Sequence, residues 1–330
     1  MQAPAAAPSR VRALMTGESV QRLLALGALL ILLVFFSVVV PHFASTANYI
    51  DILTATSVNG VLAVGVTLVI ITGGIDLSVG TAMTFCSVVA GLVSVTLGLP
   101  LPLGLLSAFA AGAAVGLVNG SLVAKAKLPP FIATLGMLYV TLGLAQVISN
   151  VHPIYFDAAQ PQFQIFFMSK AVFGIPNIVW VMLGAAAIAW VLLNKTTFGR
   201  YTFALGSNEE ATRISGVNVD RWKITVYVVE GLFVGLAGII IASRMNSAQP
   251  CLGVGYELDA IAAAVIGGTS LMGGVGTIPG AMVGALLLAS IDNGMNLNNV
   301  NSFLQQVVKG LILLIAVAID QWANRRQRRA

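Results

Sequence analysis

From Leu23 onward the chain is a succession of apolar runs of about 15–22 residues, separated by short stretches rich in Gly, Pro, Asn and charged residues. Read for hydropathy and for breakers, these runs place membrane spans at 22–41, 55–73, 78–97, 101–122, 131–149, 177–194, 224–243, 258–272, 278–293 and 305–320. Gly and Pro interrupt the eighth and ninth of these. Each of the others has roughly the 20 residues a helix needs to cross a ~30 Å hydrocarbon core. The first run, Leu23 to Val40, follows Arg10, Arg12 and Arg22 but is longer than a signal-peptide core, so it reads as a retained span.

Composition strengthens this reading. Of 330 residues, 58% are apolar or aromatic and 9% are charged, against about 25% charged in soluble domains. The expected fold is therefore an all-α polytopic membrane protein of about ten transmembrane helices, with eight to twelve admissible. The net charge of +5 does not call for nucleic acid, because Lys and Arg collect in cytoplasmic loops. With both termini cytoplasmic, ten spans place Arg10, Arg12, Arg22, Lys125, Lys127, Lys195, Arg200, Arg213, Arg221, Lys223, Arg325, Arg326, Arg328 and Arg329 inside. That leaves only Lys170, Arg244 and Lys309 of the 17 basic residues outside. The expected organisation is a cytoplasmic tail at 1–21, a transmembrane domain at 22–322, and a basic tail at 323–330.

Two connections stand out. The outer loop 150–176 carries Pro153, Pro161 and the aromatics Phe163, Phe166 and Phe167, suited to the membrane interface. The cytoplasmic segment 195–223 is the most polar part of the chain. Within it, Ser207 followed by Glu210 has capping-box spacing, which predicts a helix over 208–215 with Ser207 as its cap. Glu209 and Glu210 suit its first turn, Glu209 and Arg213 are spaced i, i+4, and Gly216 suits the residue after its end. Eight residues are too few for a helix to stand alone in water. Ala211 and Ile214 form its apolar stripe, for docking either on the membrane domain or in a cytosolic partner.

At these residues a resemblance enters. The string TTFGRYTFALGSNEEATRISGV, from Thr196, resembles the cytoplasmic coupling segment of permease subunits in ribose-type monosaccharide importers of the ATP-binding-cassette class. LVIITGGIDLSVG from Leu68, LPPFIATLGML from Leu128, SAQPCLGVGYELDAIAAAVIGGTSLMGG from Ser247 and VVKGLILLIAVAID from Val307 resemble the same branch in the same order. The resemblance implies a type II-like importer permease in the bacterial inner membrane, paired with a second permease subunit, identical or different, within membrane lipid. A cytosolic ATPase would bind below and a periplasmic sugar-binding protein would deliver cargo above. It implies that Ser207, Asn208, Glu209, Glu210, Ala211, Arg213, Ile214 and Gly216 engage a groove of the ATPase. One departure is Val275, where the resemblance leads to the expectation of a basic residue.

Polar residues within the apolar runs supply the candidate path. Asp76 lies in GGIDLSVG, where a carboxylate at membrane depth is costly and faces a polar interior, a pathway or a helix start that it caps with help from Ser78. Asn59, Asn119, Asn293 and Asn296 can offer hydrogen bonds to a neutral sugar or join helices. Arg244, Glu257 and Asp259 are candidates for docking the binding protein, Glu257 and Asp259 reading also as first-turn carboxylates. The glycine break IGGTSLMGG, from Ile266, loosely echoes the one before Asp76.

The chain lacks G-x-x-x-x-G-K-[ST], so ATP and Mg are expected on the partner and no cofactor on this chain. Cys86, Cys251, His42 and His152 form no metal-ligand spacing. Neither H-E-x-x-H nor a Ser-His pair at membrane depth supports an enzyme. The competing transport class is a proton-coupled secondary sugar carrier, with Asp76 or Glu230 titrating.

Overall fold

The computed structural model describes residues 17–157 and 159–327, with side chains placed for 25–157 and 159–318. Arg10, Arg12, Arg328 and Arg329 lie outside the described residues, and the side chains of Arg22, Arg325 and Arg326 lie outside the described side chains. Thirteen helices and one two-stranded ladder follow in order among the described residues. Helix α1 spans Gly17–Val39, α2 Thr46–Ile71, α3 Val79–Gly91, α4 Leu101–Ala124 and α5 Pro130–Ser149. After them come strand β1 at Ile154–Tyr155, α6 at Gln162–Met168, α7 at Asn177–Lys195, α8 at Thr197–Ser207 and α9 at Glu209–Ile214. The chain continues through α10 at Val219–Met245, β2 at Ser247–Ala248, α11 at Tyr256–Ile266, α12 at Ile278–Leu297 and α13 at Ser302–Gln327.

Seven of these, α2, α3 with its π-helical extension to Thr96, α4, α5, α7, α10 and α12, are long and apolar enough to cross a membrane. Helices α1 and α13 contribute the shorter apolar stretches Ala25–Val39 and Ser302–Ala318. The expected eighth span, 258–272, is corrected. Its helix has 11 residues and stops at Ile266, because Gly267 and Gly268 follow and Gly268 adopts φ +92°, a left-handed conformation that ends a helix.

Helix α2 is the centre of the bundle, with nearly its whole apolar length buried. It packs against α10, α11, α12 and α7, while α4 lies along α10 and α3 sits between α4, α5 and α10. The crossing of α4 and α10 is made by small residues at i, i+4 spacing. A Cβ on Gly112 would strike the carbonyl of Gly231, and one on Gly116 the carbonyl of Tyr227. Backbones that approach this closely associate by dispersion and shape, the device available where lipid removes the hydrophobic drive. The outer faces of α4, α5 and α7 remain apolar and exposed, with Leu106, Phe131, Tyr139, Val147 and Ile188 among them, as helices facing lipid require.

Helix α10 has 27 residues and so runs about 40 Å at 1.5 Å per residue. It separates two polar ends. At one, α8 and α9 form a short elbow. At the other, β1 pairs antiparallel with β2, Ile154 opposite Ala248, and α6 covers the junction. The aromatics of this loop divide by helical phase. Phe163 and Phe167 turn inward, with Phe163 4.5 Å from Phe156 between ring centroids, while Phe166 is exposed.

Candidate functional site

The polar elbow begins where α7 ends at Lys195. Thr196 caps α8, its hydroxyl accepting from the amide of Phe198 at 3.2 Å. Helix α8 then continues through Ser207, which corrects the expected cap. Asn208 is the cap of α9, its Oδ1 accepting from the amide of Ala211 at 2.9 Å, because Ser207 still holds helical geometry and Asn208 is the first extended residue. The helix is accordingly Glu209–Ile214, six residues rather than eight, and Gly216 follows with φ +85°.

What holds so short a helix is ionic and local. Arg213 reaches Glu209 at 3.1 Å and Glu210 at 3.9 Å, and Lys223 of α10 donates to Glu209 at 2.6 Å. Partial burial works against the Glu209 charge, but the Lys223 ammonium and the Arg213 guanidinium outweigh it and hold the carboxyl below its usual range. Thr212 is turned inward, and its hydroxyl donates to the carbonyl of Asn208. Ala211 and Ile214 face out; Ile214 is 79% exposed. The apolar stripe of α9 is therefore not consumed by the chain's own membrane domain.

The elbow is tied to the bundle by bare backbone. A Cβ on Gly206 would overlap the carbonyl of Ile71 and crowd the amide of Gly274. That amide donates to the Ile71 carbonyl at 2.8 Å, and a Cβ on Gly273 would meet Gly73. The two glycine breaks noted in the sequence thus touch each other, with Gly206 between them. Ser207, expected to take part in coupling, contacts Gly274 here.

Deeper in the bundle the break between α2 and α3 presents Asp76. Its Oδ1 accepts from the amide and the hydroxyl of Ser78, both at 2.6 Å, and its Oδ2 from Asn119 of α4 at 2.9 Å. Asn119 also donates to the Ser78 hydroxyl. Thr134 of α5 braces the same loop, accepting from the amide of Leu77 and donating to the carbonyl of Ile75. Three of the expected residues, Asp76, Ser78 and Asn119, therefore form one buried cluster. Ser78 is the N-cap of α3 by position without a side-chain cap bond, so Asp76 orders the turn ahead of that helix and does not cap it. Tyr227 and Glu230 of α10 line the same cluster.

The other expected residues lie elsewhere. Asn59 is half-buried on α2, Asn293 is half-buried near the end of α12, and exposed Asn296 accepts from Gln305 of α13 at 2.8 Å. Among the described residues no hydrogen bond joins them to Asp76. Arg244 is exposed at the end of α10. Glu257 is buried and accepts from the amide of Gly255, beside Gly80 of α3. Asp259 pairs with Lys309 at 3.1 Å, and Lys309 also holds Asp292 at 2.8 Å. Sequence reasoning did not single out Asp292 or connect Lys309 to it. Together with Tyr256 and Gln306, Lys309 and Asp259 line a cleft of about 460 Å³ between α11 and α13.

Comparison with known proteins gives a consistent picture. Residues 48–317 match the family described as branched-chain amino acid transport system / permease component. The ribose import permease protein RbsC of Escherichia coli K12 is 45% identical over 302 residues, covering 91% of this chain and 92% of that protein. The protein of the same name in Bacillus subtilis is 44% identical over 295 residues, 89% of this chain and 90% of that protein. The L-arabinose transport system permease protein AraH of Escherichia coli K12 is 40% identical over 306 residues, 92% of each.

Proposed function

The chain belongs to the family of branched-chain amino acid transport system permease components, and from that premise we propose that it is the membrane-spanning subunit of an ATP-driven importer for a monosaccharide, a ribose-like pentose or a hexose. The observation that carries the reading is α9. It is a six-residue helix pinned by ion pairs at its base, with Ala211 and Ile214 offered outward and its neighbour α8 joined backbone to backbone with the end of α2 and the glycine loop ahead of α12. A helix too short to be stable alone that presents an unpartnered apolar stripe is suited to a groove in a cytosolic ATPase. The relatives named for ribose and L-arabinose import support a sugar as cargo.

In this reading the α8–α9 end faces the cytoplasm, both termini lie on that side, and ten segments cross or enter the bilayer of the bacterial inner membrane. Two copies, or this chain and a close relative, form the pathway, and a periplasmic binding protein delivers sugar to the β1–β2 end, where Arg244 is exposed. ATP and Mg belong to the partner. ATP-driven closure of two ATPase subunits displaces α9. Through Gly206 the displacement reaches the two glycine breaks and tilts α2 and α12, which alternates access across the membrane. The chain itself makes and breaks no covalent bond.

Proteoliposomes containing this chain, its ATPase and its sugar-binding protein provide the test. Labelled sugar uptake should require ATP, and substituting Glu210 and Arg213 together should separate ATP hydrolysis from uptake while leaving membrane insertion intact. Uptake that survives ATP depletion but collapses with the proton gradient would instead establish a secondary carrier.

A further inference from the structure

The ion triad joining α11, α12 and α13 belongs neither to the coupling elbow nor to the Asp76 cluster. Lys309 stands seven residues into α13, about 10 Å along it at 1.5 Å per residue, within the apolar stretch Ser302–Ala318. A charged group inside such a segment faces the bundle interior or a water-filled cavity. Lys309 does both. It donates to Asp259 of α11 at 3.1 Å and to Asp292 of α12 at 2.8 Å, and it lines the cleft of about 460 Å³ between α11 and α13.

Tying three helices together uses only part of what these groups offer. Each carboxylate engages Lys309 through its Oδ2, and an ammonium with three N–H donors keeps one after two such bonds. Among the described residues, Asp259 Oδ1, the Gln306 amide and the Tyr256 hydroxyl have no hydrogen-bond partner. All of these side chains except Asp292 line the cleft, and the remainder of its lining is apolar, with Leu258, Leu288 and Leu313 among it. A mostly apolar cleft of this size with a few convergent polar groups is the usual form of a small-molecule site. Its chemistry selects the ligand. Two carboxylates against one ammonium leave the triad acidic, which disfavours an anion, and a wholly apolar ligand would strand the polar groups without partners. A monosaccharide presents hydroxyls around its edge and C–H bonds on its faces. One hydroxyl can donate to Asp259 Oδ1 while its neighbour accepts from Lys309, and the C–H faces lie against leucine side chains and the Tyr256 ring.

We propose, resting on the importer reading above, that the cleft between α11 and α13 is a subsite for a neutral monosaccharide on the transport path, with Asp259, Gln306 and Lys309 holding its hydroxyls. The cleft lies toward the β1–β2 end, since Tyr256 follows β2 by eight residues, and so toward the side from which sugar is delivered in that reading.

Gly310 provides the test. It lines the cleft, and a Cβ there meets no atom within 4 Å, so G310C introduces a thiol without displacing a neighbour. Cys86 is buried, and the exposed Cys251 is replaced by serine. The full-length chain with its ATPase is placed in nanodiscs, and the rate at which a charged methanethiosulfonate reagent modifies the introduced thiol is measured in ribose, galactose, leucine or no ligand at equal osmolarity. At least one of the sugars should slow modification by half at half-saturation and further beyond, and leucine should not. D259N or Q306A should abolish that protection without changing the rate in the absence of ligand. Should D259N fail to assemble, Q306A alters an exposed side chain and carries the test. A thiol that resists the charged reagent faces lipid and would overturn the proposal, as would equal rates with and without sugar, or protection by leucine alone. Sugar uptake by proteoliposomes of the C251S chain, its ATPase and its binding protein is measured in parallel. ATP-dependent uptake beside an unprotected thiol removes the subsite alone, whereas uptake that does not depend on ATP removes the importer reading and the subsite with it.

Discussion

Replacing Gly206 by alanine probes the joint between elbow and bundle with a single methyl group. The new Cβ would overlap the Ile71 carbonyl and crowd the Gly274 amide, neither of which can rotate away as a side chain would. Overpacking of this kind costs about 1–3 kcal/mol. Separating Gly274 from Ile71, now joined at 2.8 Å, forfeits a further ~0.5–1.5 kcal/mol. Alanine returns roughly 0.5–1 kcal/mol through the lower entropy cost of a helical residue. The net destabilisation is about 0.5–4 kcal/mol. Two measurements check it: the melting temperature of the purified chain, which should fall by a few degrees, and the ratio of sugar taken up to ATP hydrolysed in proteoliposomes, which should fall more than tenfold. The control is Gly184→Ala on α7, where a Cβ meets no atom within 4 Å, and which should leave coupling unchanged and raise the melting temperature slightly. A G206A chain that melts and couples like the parent would refute the account of this joint.

Other expectations concern single contacts. N208A removes the cap of α9 and should cost about 1 kcal/mol of local stability, visible as faster amide exchange across residues 209–214. Because the folded-state pKa of Glu209 is depressed below its ordinary value of 4.5, its stabilising contribution is fully present above that value and is lost as pH falls through the lower, folded pKa. Exchange protection of α9 should therefore drop in acid, and E209Q should show no such drop. N119A deprives Asp76 and Ser78 of a shared donor and, as a bond to a charged acceptor, should cost about 1.5–3 kcal/mol, measured by thermal melting against N119D and wild type.

How far the sequence reaches can be followed residue by residue. Long apolar runs such as 55–73 announce α2 because nineteen residues of predominantly apolar character have few other uses. The limits of α11 were harder to read. Ala262, Ala263, Ala264 and Val265 continue an apolar run into Gly267 and Gly268, and only the observed left-handed Gly268 shows where helix gives way to loop. At the elbow, Ser207 and Asn208 are both good caps. Which one serves depends on how far α8 persists, and that is set by its packing on Ile71 and Gly274, remote in sequence. Gly112 and Gly116 of α4 stand at i, i+4, yet nothing local names Gly231 and Tyr227 as what they meet. Glu230 and Asp76 each drew notice as carboxylates in apolar runs. Their meeting rests on the packing of α10 against α2 and α3, a long-range fact that periodicity does not encode. In the loop 150–176 the sequence suggests the membrane interface for Phe163, Phe166 and Phe167 alike, but only Phe166 is exposed, because α6 turns Phe163 and Phe167 inward toward Phe156.

The short length of α11 bears on the bilayer as an electrical insulator. Eleven residues rise about 16 Å, roughly half of a ~30 Å hydrocarbon core, so the chain beyond Ile266 carries its peptide dipoles onward without a helix to satisfy them. The covering comes from α12: a Cβ on Gly267 would overlap the Gly280 carbonyl, one on Gly280 the Gly267 carbonyl, and one on Gly284 the carbonyl of Ala263. Peptide planes are pressed against peptide planes there, with no room for a file of water. The molecule thus closes this point by the fit of two backbones, where an ordinary span would rely on its own continuous helix.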